Sequence, residues 1–379
     1  MFGKEMSMRQ TSVVQQHNLN FLNFRYYRLF IFVVLISLLG YTFSSNNNSN
    51  VTNKSICLLY RHFILKRFMA MFSLWLLIKS WLHSLFKWFL RTTTKLCELQ
   101  RICYGHMRGA GRFINTERSL NASKSPTIKK LVAHLNEVSD NQRFLGENKE
   151  ELIKKSVKTI LLVKKITRKI HPQFVQSFSE CIDYIWSYKQ MLAEVEVLRK
   201  TPYDADNLEH ERRLDELWHL LMPNQPLECR ITKQWQEIGF QGDDPKTDFR
   251  GMGLLGLENL LYFSREYNQH ARHVLSHAQH PTFGYTFAIV GINLTSMALQ
   301  LCRDGDARTY FYNKNVPSIV QFHKFYCYLF YEFDRFWIEC KPKNIMEFSS
   351  IRDKFEFNIR KALEDHSAAF KLNVTIDNV

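Results

Sequence analysis

Five of the fourteen glycines in this 379-residue chain fall inside one stretch, Gln234–Leu261, which reads QWQEIGFQGDDPKTDFRGMGLLGLENLL. Elsewhere glycine is scarce, and nine prolines are too few for a turn-rich β-sandwich. A chain that gathers glycine in one loop needs close backbone approach or a positive φ there. The text on either side of that loop is helical in period.

Asn148–Ile170 carries Leu152, Ile153, Val157, Ile160, Leu161 and Val163 at helical spacing, with a run of lysines as its solvated face. Pro202 interrupts; Asp206 or Asn207 is placed to cap a helix over Leu208–Leu221, which Pro223 stops. Tyr285–Cys302 and Pro317–Glu339 are longer. The second sets Pro317 at a first helical position. Its stripe of Phe322, Phe325, Tyr326, Leu329, Phe330, Phe333, Phe336 and Trp337 reads as core packing. A last helix covers about Ser349–Glu364. No run of alternating strands occurs, so the expected fold class is all-α.

Charge separates the chain into two parts. Lys and Arg number 51 against 36 Asp and Glu, a net of +15, but residues 1–110 hold 14 of the bases and only two acids, Glu5 and Glu98. The rest is nearly neutral, which argues against a nucleic-acid partner, whose binding face would be basic on the folded body. Basic charge and apolar residues coincide instead in the N-terminal third, the combination that suits a membrane surface.

Leu29–Phe43 (LFIFVVLISLLGYTF), preceded by Arg25 and Arg28, is short for a span and reads as a signal-peptide core, a signal anchor or an upstream hydrophobic stretch. The Asn-rich tract after it holds sequons at Asn47, Asn50 and Asn53, which matter only if this part is lumenal. Phe68–Leu90 differs. Lys79, His83, Lys87 and Arg91 form one polar stripe beside Leu74, Leu77, Ile78, Leu82, Leu85, Phe86 and Phe89, with Trp75, Trp81 and Trp88 at the boundary. A helix lying in the interface lets the lysines reach headgroups, which a bilayer span does not. A buried core helix is the alternative. The eight cysteines contain no C-x-x-C, the usage of a reduced cytosolic protein with no disulfide framework and no zinc site.

Three local patterns mimic known sites. Gly251-Met-Gly253-Leu-Leu-Gly256 matches G-x-G-x-x-G, but the polar run Asp243–Arg250 stands where a strand should precede it, so dinucleotide binding is rejected. No phosphate-binding P-loop motif exists. His270, His273, His277 and His280 have helical spacing without carboxylate or Cys partners at zinc spacing, and no metal is expected. Asp243-Asp244-Pro245 reads as a turn whose carboxylates bond local N–H groups, rather than as an acid/base pair.

One longer pattern is specific. Trp235-x-x-x-Gly239-Phe240-Gln241-Gly242-x-Asp244-Pro245-x-Thr247-Asp248-Phe249-Arg250-Gly251-x-Gly253 resembles the signature of the ELMO domain. Pro202-Tyr203-Asp204, Trp218-His-Leu-Leu-Met-Pro223 and YTFAIVGINLTSM from Tyr285 to Met297 extend the likeness, which runs from about Met71 to the C-terminus and is nearest to the small ELMO domain-containing (ELMOD) proteins. The resemblance implies a helical ELMO domain at 207–367 and a helical N-terminal region packing on it at 96–206. Ahead of these it leaves an amphipathic membrane-surface helix at 68–95 and an extension at 1–67 with a hydrophobic segment at 26–43.

The small ELMO domain group comprises GTPase-activating proteins for Arf-family and Arf-like small GTPases. The resemblance carries the catalytic arginine of their Phe-Arg-Gly signature onto Arg250. It also implies that Gly251 and Gly253 let the loop approach a nucleotide, that Phe249 and Trp235 anchor it, and that Asp244 supports it. Asp248 would orient the guanidinium and Gln241 would touch the partner; Arg230 is a lesser alternative finger. The chain would then act in trans with no cofactor of its own, GTP and Mg²⁺ belonging to the partner GTPase. It would sit on the cytosolic face of an intracellular membrane, with endoplasmic reticulum, lipid droplet and mitochondrion as candidates. Two alternatives stay open: Arg250 pairing with Asp248 or Asp244 merely to staple the turn, and a non-catalytic scaffold that binds a small GTPase or its regulator. A lipid-metabolising enzyme has no G-x-S-x-G to support it.

Overall fold

The computed structural model describes residues 85–140, 149–368 and 370, together with Lys66, Ser73, Leu74, Ile78, Trp81 and Leu82. The run Leu29–Phe43, the three sequons, Trp75 and Lys79 lie outside the described residues. The chain divides into two units, Met1–Glu98 and Leu99–Val379.

In the first unit residues 85–94 are helical, and the helix ends where Lys95 takes a left-handed φ of 58°. Thr92, Thr93 and Thr94 donate their hydroxyls back to the carbonyls of Trp88, Phe89 and Leu90. Leu74, Ile78, Trp81, Leu82, Leu85, Phe86, Trp88 and Phe89 are all exposed. Lys87 pairs with Glu98 at 3.0 Å. Among the described residues, no helix is long and apolar enough to cross a membrane.

The second unit is all-α, with no strand among the described residues. Its first half comprises α1 (Glu98–Gly105), α2 (Ala110–Asn121), α3 (Pro126–Asp140), α4 (Lys149–Lys164), α5 (Pro172–Lys200) and α6 (Leu208–Leu221). After the glycine-rich loop come α7 (Gly253–Glu266), α8 (Asn268–Ala278), α9 (Phe287–Asp304), α10 (Arg308–Tyr312), α11 (Ile319–Cys340) and α12 (Phe348–Leu363).

The hub is α7, which packs against α5, α6, α8, α9 and α11. Enclosed on so many sides, it buries Leu254, Leu255, Leu257, Leu260, Leu261 and Phe263 around its whole girth. Of its two deep polar residues, Asn259 is satisfied, donating to Thr295 Oγ1 at 3.0 Å and facing His323 Nδ1 with its carbonyl oxygen at 2.7 Å. Burial pushes the pKa of His323 down to about 4.

Three helix ends differ from the sequence pattern, each for a local reason. The lysine-rich helix stops at Lys164 because Lys165 turns left-handed at φ 54°. Pro317 lies outside α11, whose cap is Ser318, its hydroxyl accepting the Gln321 N–H at 3.4 Å. Tyr285 precedes α9 rather than opening it, since its hydroxyl is committed to the buried carboxylate of Asp334 at 2.6 Å. Asn207 caps α6 by accepting the Glu209 N–H.

Long-range polar ties join the N-terminal helices to the rest. Asn313 accepts the Ala110 N–H and donates to the His366 carbonyl, both at 2.8 Å. Buried Glu117 on α2 holds Arg308 at 3.2 Å and receives the Tyr312 hydroxyl. None of the seven described cysteines is in a disulfide.

Candidate functional site

The glycine-rich loop is two 3₁₀ turns hung on an aromatic column. The first, Lys233–Ile238, is capped by Thr232 and closed by Gly239 at φ 86°, where a Cβ would strike the backbone of Phe287. Trp235 is fully buried and meets Trp218 edge-on at 5.6 Å and Phe240 at 5.9 Å. Phe240 meets Phe249 at 5.6 Å, and Phe249 stacks on Tyr203 at 5.3 Å. The indole N–H of Trp235 donates to the Arg230 carbonyl at 2.9 Å, so the column stays polar-satisfied while dry.

The second turn, Pro245–Arg250, starts from Asp244, whose carboxylate accepts the Lys246 N–H at 2.9 Å, with Pro245 in the first turn. Asp248 accepts the Gln241 N–H at 2.9 Å, closing the loop on itself. Burial pushes the Asp248 pKa up, opposed by that N–H and by the nearby charge of Arg250. Asp248 therefore neither caps α7 nor bonds the guanidinium.

Asp244 is occupied as well. Arg230 Nη1 reaches its carboxylate at 2.9 Å while Arg230 Nε holds Glu211, which also accepts the Tyr203 hydroxyl at 2.6 Å. The Arg230 guanidinium lies 5.9 Å above the Tyr203 ring. Partial burial works against its charge, but the two carboxylates outweigh that and push its pKa up. The lesser alternative finger is thus engaged from two sides.

Arg250 is the contrast. It is exposed, and among the described residues it makes no hydrogen bond or ion pair, since the two aspartates that could have held it serve Gln241 and Arg230. The stapled-turn alternative for Arg250 has no bond to rest on. Phe249 on one side is buried, and on the other the chain enters α7 within three residues.

The structure sorts the remaining expected site residues by direction. Trp235, Phe249 and Gly253 are buried; Gln241 and Gly251 are exposed; Asp244 and Asp248 are half-buried ties. Gly253, at φ 53°, lies against the carbonyls of Arg199 and Thr201, and Leu254 N–H donates to the Thr201 carbonyl at 2.9 Å. Its small size serves packing against the end of α5, whereas a Cβ on Gly251 would meet nothing within 4 Å. Room for close approach therefore falls to Gly251. The clamp of Tyr203, Glu211 and Arg230 has no sequence signal, because its members lie up to 27 residues apart along the chain.

Among the described residues no three His, Cys, Asp or Glu side chains gather as metal ligands. His277 instead bonds Asp334 at 2.8 Å, and His280 stacks on Phe283 at 3.6 Å.

Residues 193–352 match the model of the ELMO/CED-12 family. Over 290 residues the chain is 45% identical to ELMO domain-containing protein 2 of Homo sapiens, covering 76% of this chain and 94% of that one. It is 44% identical to ELMO domain-containing protein 1 of Mus musculus, covering 75% and 88%. Similarity extends to ELMO domain-containing protein B of Dictyostelium discoideum, 35% identical over 73% and 94% of the two chains.

Proposed function

The chain belongs to the ELMO/CED-12 family, and from that membership and the exposed Arg250 we propose that it accelerates GTP hydrolysis by Arf-family or Arf-like small GTPases. The observation that carries this reading is an exposed guanidinium that makes no hydrogen bond or ion pair among the described residues, presented by a backbone that is fixed on both sides. Moving the γ-phosphoryl to water spreads negative charge over its oxygens. A guanidinium supplied in trans bridges β- and γ-phosphate oxygens with its planar fork, an effect on the order of 10³–10⁵ in rate. GTP and Mg²⁺ belong to the partner. Gln241, whose N–H is bound by Asp248, and Gly251 beside Arg250 are exposed too and would meet the same partner.

The exposed Trp81 and Trp88, with Leu82, Leu85, Phe86 and Phe89 beside them, support a second element of the proposal: this helix lies in a membrane interface and brings the arginine to a membrane-bound GTPase.

The test is stimulated, single-turnover GTP hydrolysis by a panel of purified Arf-family GTPases with the full chain and its Arg250→Lys variant. The wild type should stimulate and the lysine variant should lose the effect, with unchanged thermal unfolding, because lysine lacks the fork. Full retention of stimulation by the variant sinks the arginine role. Binding of the GTP-loaded partner without stimulation by either form would establish the scaffold alternative.

A further inference from the structure

We propose that Arg230 is a positioning residue for Arg250, an inference that rests on the catalytic reading above. Among the described residues Arg250 makes no hydrogen bond or ion pair, so the turn Pro245–Arg250 sets where its guanidinium starts from. The start of that turn is set by Asp244, and Asp244 Oδ1 carries both the cap to Lys246 N–H and the bond from Arg230 Nη1. Through Nε the same guanidinium is fastened to Glu211 on α6, and Glu211 is fixed in turn by the Tyr203 hydroxyl. Tyr203 also stacks on Phe249, the residue immediately before Arg250. One arginine fork thus joins the first residue of the turn to the helix and the ring that brace its last residues.

Arg230 does not reach a bound nucleotide itself. Its Nε and Nη1 are taken by the two carboxylates and its Nη2 is buried, so no nitrogen of the fork is presented to a phosphate. Lysine or glutamine cannot replace it, since the two carboxylates lie on opposite sides of the fork and need two nitrogens in fixed relation. Loss of the clamp moves Arg250 by changing where its turn begins. A displacement of about 1 Å at a catalytic group is enough to lower a rate roughly a hundredfold.

The experiment takes a GTP-loaded Arf-family GTPase that the full-length wild type stimulates and compares Arg230→Gln, Asp244→Asn and Arg250→Lys across a range of chain concentrations. Asp244→Asn keeps an oxygen for the Lys246 N–H cap but removes the charge that Arg230 holds, so it reports on the clamp even where Arg230→Gln does not fold. The clamp variants should lower kcat by roughly tenfold to a hundredfold, leave the half-saturating concentration within about twofold, and add nothing further in the Arg250→Lys background. An unchanged kcat in both clamp variants overturns the inference. So does a raised half-saturating concentration at intact kcat, which would make Arg230 a docking contact. A fall that merely follows the unfolded fraction at the assay temperature also overturns it. Stimulation that survives Arg250→Lys, or a wild type inert on every GTPase of the panel, instead removes the catalytic reading itself and this inference with it.

Discussion

Replacing Gly253 by alanine puts a methyl group against two backbone carbonyls that have nowhere to go. Those carbonyls, of Arg199 and Thr201, close the C-terminal end of α5, and the second accepts the Leu254 N–H at 2.9 Å. With φ at 53°, a non-glycine residue costs about 1–2 kcal/mol in conformation alone. Displacing Thr201 weakens a buried hydrogen bond worth about 1 kcal/mol more. The expected loss is about 2–3 kcal/mol, a fall in Tm of roughly 4–10 °C for a unit of this size. Gly251, two residues earlier in the same motif, is the control: φ is −77°, and a Cβ there meets nothing within 4 Å. Gly251→Ala should leave Tm unchanged or raise it slightly through the unfolded chain's lost freedom. Thermal and urea unfolding of both variants decides the matter. A Gly253→Ala protein within about 1 °C of wild type, or a Gly251→Ala protein equally destabilised, would refute the division of the two glycines into packing and exposed roles.

Two further outcomes follow from the same geometry. Trp81→Ser with Trp88→Ser in the full chain should cut its partition onto vesicles containing anionic lipid by roughly tenfold or more, since each exposed indole contributes about 1.5–3 kcal/mol when it leaves water; vesicle flotation measures it, and unaltered flotation with lowered Tm would favour the core-helix alternative. The pKa of His277 is raised by its bond to Asp334, against some burial, so its charged form is the stabilising one. That contribution is fully present below the unfolded value of about 6.5 and is lost as pH rises through the higher folded value. The Tm advantage of wild type over His277→Gln should therefore be greatest in mildly acidic buffer and shrink above neutrality; a gap that widens with pH would contradict it.

Much of the helical framework is legible in the sequence because the cues are local. Asn207 before Leu208 and Pro223 after Leu221 bracket α6 as their chemistry dictates. The longest helix, α5, is far less legible. It buries Phe174, Phe178, Cys181, Ile182, Tyr184, Ile185, Trp186, Tyr188, Met191 and Val195, and with helices on several sides it shows no single apolar stripe. A left-handed Lys165 ending α4 is equally silent, since lysine carries no preference for that conformation. The metal-like spacing of the histidines dissolves once Asp334, 57 residues away, becomes a partner of His277.

The signature itself mixes two kinds of residue that sequence cannot separate. Trp235, Phe240, Pro245, Phe249 and Gly253 are buried and would be required by any protein that builds this loop, whatever it does. Asp244 and Asp248 spend their carboxylates on backbone N–H groups, and Asp244 also on Arg230. What remains pointing outward is Gln241, Lys246, Thr247, Arg250 and Gly251, and of these Arg250 alone combines a planar cationic fork with a buried residue directly before it. A motif can be long for folding reasons only, but Arg250 is its one arginine, and among the described residues no carboxylate hydrogen-bonds it. If Arg250 were structural, the cheapest fold would pair it with Asp248 across the short turn. The chain instead turns Asp248 to the Gln241 N–H and holds Asp244 with Arg230, an arrangement in which neither carboxylate hydrogen-bonds Arg250 while the backbone that presents it is fixed.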